Sequence, residues 1–264
     1  MNQIQIKRLE RFLAHYDAIH ELDNAYGFSQ ETTDAYRDAA RALYEQSVTY
    51  LEELDLDGVH CVLDVGCGYG HHCAWFASRG LEAVGVATDV SDELRAHASE
   101  HGYELACQDM HFLEFEDESF DLVWSHHCLE HSFGPLLALW EWKRVLRPGG
   151  LLCVTVPPHK SMVVSGHFTS GWSIGQLLYV VGVMGFDIAQ GEFLQEGYNV
   201  RALVRKPMVE AEAAGLSWLY KICDRLPAAL RERLIDHERS PGAIQFEGQL
   251  RVLTPTCWES IESE

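Results

Sequence analysis

Five short apolar runs in the middle of the chain have the length of buried strands, and they lie at 60–65, 82–87, 103–107, 120–125 and 150–156. The segments between them space their apolar residues as helices do, at 71–79, 91–101 and 135–146. Such alternation is typical of a parallel sheet whose strands are joined by right-handed helical crossovers. We therefore predict an α/β fold.

The pattern continues for about fifty residues beyond the fifth strand. A helix is predicted at 173–184, followed by strands at 186–193 and 198–205, and Gly197 is placed to close a hairpin between those two strands. The sheet then has seven strands. Pro148-Gly149-Gly150 is predicted to stop the helix before the fifth strand, because proline and glycine commonly end helices.

The two ends of the chain lack this alternation. Residues 1–58 have helical spacing with a break at Gly27 and Ser29, and residues 207–264 show one or two helical patterns. We predict an N-terminal helical cap at 1–58, an α/β domain at 59–206 and a C-terminal helical extension at 207–264.

Composition restricts the partners and the compartment. Lys and Arg total 20 against 40 Asp and Glu, and this net charge of −20 repels phosphate backbones, so nucleic acid is not the expected partner. The 8 cysteines include no CxxC pair and are typical of reduced thiols. No apolar run is long enough for a membrane span, and the expected location is cytoplasmic.

The most informative segment is the end of the first strand and the turn that follows it, with the sequence LDVGCGYG at 63–70. Gly66, Gly68 and Gly70 alternate, which indicates a tight turn where the backbone approaches a ligand, although a purely structural turn has the same pattern. Asp64 is expected to be buried, and a buried carboxylate needs a cationic ligand or hydrogen-bond donors.

Several segments together resemble the class I S-adenosylmethionine-dependent methyltransferases, over about 150 residues. The turn at 63–70 resembles motif I of that family, and the other matching segments are 109–110, 115–123, 129–131 and 145–150. The resemblance implies a Rossmann-like, mostly parallel seven-stranded sheet with helices on both faces. It also implies S-adenosyl-L-methionine as the methyl donor.

The resemblance further implies roles for single residues near the donor. The three glycines would let the backbone approach adenosylmethionine, and Asp64 would lie near its amino acid end. Asp89 would hold the ribose hydroxyls, although it comes two residues later than the usual acid and Ser91 competes as a helix cap. Asp109 would accept from the adenine amino group and Met110 would pack on the ring. His126 is assigned to the same donor site.

Histidines after the fourth strand point to the chemistry, and three interpretations stay open. His131 or His127 acts as a general base on an acceptor hydroxyl, since a pKa near about 6.5 suits that role. Alternatively His127, Glu130 and His131 bind a divalent metal that acidifies the acceptor, or these histidines are satisfied surface groups. The H-x-x-E-H pattern also occurs in zinc peptidases, but it falls where methyltransferases have their own Leu-Glu-His segment.

The expected function is O-methylation of a small-molecule or glycan hydroxyl. Phe168, Trp172 and neighbouring polar residues follow the fifth strand, and such a mixture suits a polyol. The alternatives are methylation of a nitrogen, carbon or sulfur atom, or an inactive adenosylmethionine-binding protein. A dinucleotide oxidoreductase is disfavoured because His71 takes the place of the third glycine in the G-x-G-x-x-G fingerprint.

Overall fold

The computed structural model describes residues 3–25, 30–159, 167–169, 171–209 and 251–252. The chain divides into two compact units, Met1–Glu53 and Leu54–Glu264. The predicted break at Gly27 and Ser29, the segment 160–166 and nearly all of the predicted extension at 207–264 lie outside the described residues.

The first unit is helical, as its apolar spacing predicts. Helix α1 spans Gln3–Ala25 and helix α2 spans Gln30–Glu53. The first strand of the second unit begins at Cys61, so the predicted boundary at residue 58 lies within the second unit, ahead of that strand, and stays a prediction. Within the described ranges, no helix is both long and apolar enough to cross a membrane.

The second unit alternates strands and helices close to the predicted positions. Its strands are β1 (Cys61–Val65), β2 (Glu82–Ala87), β3 (Glu104–Cys107), β4 (Phe120–His126), β5 (Leu146–Val156), β6 (Asp187–Glu196), β7 (Asn199–Arg205) and β8 (Arg251–Val252). Its α-helices are α3 (His71–Ser78), α4 (Asp92–His101), α5 (Pro135–Val145) and α6 (Ile174–Val183).

The sheet has the order β3-β2-β1-β4-β5-β7-β6-β8, and the predicted mostly parallel, seven-stranded arrangement is confirmed with the two-residue β8 added at one edge. The first five strands of that order are parallel, and β7 runs antiparallel to β5. Right-handed crossovers then place α3 and α4 on one face and α5 on the other. The hairpin between β6 and β7 turns at Gly197, as predicted.

The strand order reverses beside β1, which pairs with both β2 and β4. In open α/β sheets the crevice at such a reversal lies outside the carboxyl ends of the strands and is where ligands bind. The residues at this edge are Val65 on β1, Ala87 on β2, His126 on β4 and Val156 on β5. The core beneath it is apolar and fully buried, with Leu63, Val123 and Leu152 on these same strands.

One predicted boundary is wrong. Helix α5 ends at Val145, and Pro148-Gly149-Gly150 lies inside β5 instead of ending the helix. The cause is pairing with distant residues: the amide of Gly149 donates to the carbonyl of Lys206, and the amide of Lys206 donates to the carbonyl of Gly150. These two bonds pair the segment with the end of β7, although Gly149 keeps a left-handed φ of 78° and proline and glycine usually mark a turn.

The structure agrees with the prediction that the cysteines are reduced thiols. No disulfide joins any of the cysteines that the structure describes, and four of them are buried: Cys67, Cys73, Cys128 and Cys153. Cys223 and Cys257 lie outside the described residues. The buried thiols act as small apolar groups in the packing around the turn after β1.

Candidate functional site

The turn after β1 is held against β2 by its own backbone. The amides of Gly66 and Cys67 both donate to the carbonyl of Val86, at 2.9 and 3.0 Å. Gly66, Gly68 and Gly70 have φ angles of 79°, 53° and 78°, in the left-handed region that favours glycine. Glycine is therefore required at these three positions by the backbone conformation of the turn, before any ligand is considered.

The three glycines differ in what surrounds them. A Cβ atom on Gly66 would overlap the side chain of Cys128, and one on Gly70 would overlap the hydroxyl of Tyr103. A Cβ atom on Gly68 would meet nothing within 4 Å. Sequence reasoning gave all three the same role toward a ligand, whereas the structure shows that Gly66 and Gly70 are constrained by protein packing and that Gly68 faces open space.

Asp64 carries a buried carboxylate that is only half satisfied. Its side chain is 1% exposed, and Oδ2 accepts a hydrogen bond from the Cys73 thiol at 3.3 Å. Among the described residues, Oδ1 has no hydrogen-bond partner. Burial raises the pKa of this carboxyl to about 7, against a small opposing effect of the Cys73 hydrogen bond. A cation or a donor from a ligand would satisfy Oδ1 and favour the ionised form.

Asp89 is exposed just beyond the carboxyl end of β2. The competing role as a helix cap belongs to Ser91, whose hydroxyl accepts a hydrogen bond from the amide of Leu94 at 3.2 Å. Capping of α4 therefore does not account for Asp89, and its carboxylate lies at the strand end where a ligand hydroxyl pair would be bound.

Asp109 is fixed in place by a buried network that sequence reasoning missed. Its Oδ1 accepts from the amide of His111 at 2.7 Å and lies 2.6 Å from Nδ1 of the same residue. Nε2 of His111 is 2.6 Å from the hydroxyl of Ser132, which accepts from the amide of Gly134. His111 is fully buried, so it orients Asp109. The neighbouring Met110 accepts an indole hydrogen bond at its carbonyl from Trp142.

His126 ends β4 in an aromatic cluster. Its ring is 5.1 Å from that of His72 on α3 and stacks on Trp124 with an interplanar angle of 4°. Burial, reinforced by His72, His127 and Arg201, holds the pKa of His126 well below its usual value, and burial lowers the pKa of His72 to about 3. These rings are neutral at physiological pH and are poor general bases.

His127 is an anchored residue with contacts at both ring nitrogens. Its Nε2 lies 2.8 Å from Oδ1 of Asn199, and its Nδ1 lies 3.5 Å from Oε1 of Glu130. The ring stacks on Tyr198 at 5.5 Å, and the backbone has a φ of 54°, which is unusual for a residue with a side chain. His127 therefore lies beside Glu130, and it is supported by Tyr198 in the hairpin turn and by Asn199 at the start of β7.

The predicted metal ligands are only partly brought together. One oxygen of Glu130, one nitrogen of His131 and one nitrogen of His167 lie within 4.8 Å of one another. His167 thus takes the place that sequence spacing assigned to His127. The carbonyl of Glu130 accepts hydrogen bonds from the amide and the hydroxyl of Thr169, and this contact holds the segment of His167 against the end of β4.

Three carboxylates therefore stand at the ends of three adjacent strands, Asp64 on β1, Asp89 after β2 and Asp109 after β3. In the same order they suit an ammonium or sulfonium cation, a pair of hydroxyls and an amino group. Among the described residues, the unpaired oxygen of Asp64 and the open space at Gly68 leave charge and room for a cationic ligand at this edge.

Comparison with known sequences indicates a methyltransferase domain. Residues 63–154 match the family model of the methyltransferase domain. The chain is 32% identical over 157 residues to the methyltransferase GfsG of Streptomyces halstedii, covering 53% of this chain and 55% of that protein. It is 29% identical over 147 residues to a malonyl-[acyl-carrier protein] O-methyltransferase of a Marinomonas species, covering 54% and 53%. The chain spans about half the length of these relatives.

Comparison with solved structures shows the same fold. The 1,6-didemethyltoxoflavin-N1-methyltransferase of Burkholderia thailandensis, solved with its substrate and S-adenosylhomocysteine, has a TM-score of 0.59 and 18% identity, covering 74% of this chain and 90% of that one. Fold and matched domain together define a Rossmann-like methyltransferase domain. Residues 63–154 thus form a methyltransferase domain of the class I S-adenosylmethionine-dependent type, and adenosylmethionine is the cofactor of that family.

Proposed function

We propose that this protein transfers the methyl group of S-adenosylmethionine to a hydroxyl of a small-molecule or glycan acceptor. The observation that carries the proposal is the buried carboxylate of Asp64, whose Oδ1 lacks a hydrogen-bond partner within the described residues and adjoins the glycine turn. An ionised carboxylate in that position is costly unless a cation accompanies it. The donor supplies that cation, and it supplies an electrophilic methyl group on a sulfonium sulfur.

Each of the three carboxylates binds a different part of the donor. Asp64 binds its charged amino acid end, Asp89 binds the ribose hydroxyls and Asp109 accepts from the adenine amino group. His111 and Ser132 keep Asp109 in one orientation, which lowers the entropy lost on binding. The neutral ring of His126 lines the same edge without adding a positive charge against the sulfonium.

Deprotonation of the acceptor is assigned to the cluster at the end of β4. His131 is exposed there, while Glu130 beside it is buried. As the acceptor oxygen bonds to the methyl carbon, its proton must leave, either to the imidazole of His131 or after the hydroxyl pKa has been lowered by an ion that His131 holds. His127 has both nitrogens engaged and is a positioning residue in this scheme.

The choice of an oxygen acceptor draws on the relatives as well as on the site. One relative is named a malonyl-[acyl-carrier protein] O-methyltransferase and another a tocopherol O-methyltransferase. A surface with a net charge of −20 disfavours nucleic acid as the acceptor. The buried thiols fit a reducing compartment, and we place the protein in the cytoplasm.

The function is tested by following release of S-adenosylhomocysteine with a panel of matched acceptors. Phenols, sugars and other polyols should be methylated, whereas the corresponding amines and thiols should react at least about tenfold more slowly. Preferred turnover of an amine, thiol or carbon acceptor would refute O-methylation. Donor binding with no turnover on any acceptor would favour an inactive binding protein.

A pair of variants tests the assignment of Asp89. Asp89→Ala should weaken binding of adenosylmethionine about tenfold, since hydrogen bonds to a charged group contribute about 1.5–3 kcal/mol, and should leave unfolding unchanged. Ser91→Ala should lower the free energy of unfolding by about 1 kcal/mol, because it removes the cap of α4, and should leave donor affinity unchanged. Calorimetric titration and urea unfolding measure both. The reverse pattern would show that Asp89 has a structural role only.

A further inference from the structure

We propose that Glu130, His131 and His167 bind one divalent transition-metal ion at the acceptor side of the site. The proposal that an ion binds depends only on the geometry of these residues. Its part in methyl transfer rests on the proposed function and deepens it. His127, which the spacing of the sequence assigned to this ligand set, lies behind the site as a support for Glu130.

The three ligand atoms already converge. The carboxylate oxygen of Glu130 and one ring nitrogen of each histidine lie within 4.8 Å of one another. Ligands that hold one ion tetrahedrally at about 2.0–2.2 Å lie about 3.3–3.6 Å apart, so side-chain rotations that shorten these separations by about 1 Å would bring all three onto a common ion. The two rings cross nearly at right angles, at 87° and 4.9 Å, so they do not stack face to face.

The buried carboxylate gives the independent reason to expect a cation. Glu130 is 1% exposed, and its Oε2 has no hydrogen-bond partner among the described residues. Its Oε1 lies 3.5 Å from Nδ1 of His127. A buried carboxylate with one unsatisfied oxygen is unfavourable, and a bound ion would satisfy it.

The surrounding contacts are those expected behind a metal ligand. Nε2 of His127 lies 2.8 Å from Asn199, so the ring is held while its Nδ1 faces Glu130. Thr169 binds the carbonyl of Glu130 through both its amide and its hydroxyl, which keeps His167 beside the carboxylate. Such supporting contacts fix the orientation of ligands in metal sites.

Two imidazoles and one carboxylate select the type of ion. Mg²⁺ and Ca²⁺ prefer oxygen ligands, whereas nitrogen ligands suit Zn²⁺, Co²⁺, Fe²⁺ and similar ions. Three protein ligands leave coordination positions for a substrate atom. An acceptor hydroxyl bound there would lose its proton near neutral pH, because the ion lowers the pKa of a bound oxygen. In this arrangement His131 holds the ion, and the released proton passes to solvent.

The test uses the full chain, stripped with a chelator and titrated with Co²⁺ by visible absorption and with Zn²⁺ by calorimetry, without adenosylmethionine. We expect one ion per chain. Glu130→Gln and His167→Ala should each weaken binding at least about tenfold, and His127→Ala should weaken it by a similar or smaller factor. His15→Ala, which removes an exposed histidine from α1, is the matched control and should bind as the wild type does.

Binding of neither ion to folded protein, or equal binding by His15→Ala and His167→Ala, would overturn the proposal. Circular dichroism of each variant separates lost ligands from lost fold, and His167→Gln provides a second variant of the same residue. Titration with adenosylmethionine is run in parallel. Donor binding with turnover in metal-free protein would refute the ion's part in methyl transfer and keep the methyltransferase. Ion binding without donor binding would keep the ion site and refute the methyltransferase.

Discussion

Replacing Gly66 by Ala should lower the free energy of unfolding by about 2–6 kcal/mol. A left-handed φ of 79° costs a residue with a side chain about 1–3 kcal/mol. The new Cβ atom would also overlap Cys128, and overpacking adds about 1–3 kcal/mol. Small domains have a total free energy of unfolding of only about 5–15 kcal/mol. The variant should therefore unfold at a lower temperature and a lower urea concentration than the wild type, which calorimetry and urea unfolding would measure.

Gly68→Ala is the matched control. It has a similar backbone angle, with a φ of 53°, but its Cβ atom would meet nothing within 4 Å. We expect it to lose only about 1–2 kcal/mol. Its added methyl group projects into the space assigned to the donor, so its affinity for adenosylmethionine should fall. Equal destabilisation by the two substitutions would contradict the packing role of Gly66.

His131→Ala should reduce turnover by about a hundredfold or more, whether the imidazole accepts the proton or holds an ion. The side chain is exposed, so the variant should unfold with the same free energy as the wild type. Affinity for S-adenosylhomocysteine should also be unchanged, because donor binding is assigned to Asp64, Asp89 and Asp109. Single-turnover assays with the acceptor found in the panel provide the measurement.

The control for this prediction is His15→Ala, which should keep full turnover. His127→Ala should lower turnover less than His131→Ala, since His127 acts through Glu130 and Asn199. Full turnover in His131→Ala would place acceptor deprotonation elsewhere. Equal loss of donor affinity and turnover would instead assign His131 to the donor site.

Local patterns were sufficient to predict most of the sheet. The apolar runs and the helical spacing between them depend on neighbouring residues, so β1, β2 and β4 were located to within one residue. Pro148-Gly149-Gly150 was misassigned because its conformation depends on pairing with Lys206, far along the chain. Local propensity is overridden wherever such distant pairing decides the backbone.

The glycine turn shows the same limit within the site. Its sequence indicates a tight turn, but the packing that restricts Gly66 and Gly70 comes from Cys128, which follows β4, and Tyr103, which precedes β3. Alternation in the sequence carries no information about these partners. A substitution at Gly70 would therefore disturb packing before it disturbed a ligand.

The proposed metal ligands could be predicted only in part, because local spacing does not determine which residues the fold brings together. Spacing of three and four residues places His127, Glu130 and His131 together on an α-helix. The chain instead forms a 3₁₀ helix over Leu129–His131, and the positive φ of His127 turns its ring toward Asn199. In the proposed metal site the position of His127 is taken by His167, which no local pattern connects to residue 130.

The most direct test of the central claim is calorimetric titration of adenosylmethionine into wild type and Asp64→Asn at pH 6 and pH 7.5. The pKa of the Asp64 carboxyl is about 7 in the free protein, so at pH 6 the cation must first displace a proton. Since one pKa unit corresponds to about tenfold in affinity, binding should strengthen close to tenfold from pH 6 to pH 7.5.

Asp64→Asn should bind the donor at least about tenfold more weakly at pH 7.5 and should lose the part of the pH dependence that Asp64 causes. This isosteric change keeps the volume of the side chain and removes its charge. No binding of adenosylmethionine at millimolar concentration, or tighter binding of NAD, would contradict the account. Equal affinity in the wild type and the variant at both pH values would contradict it as well.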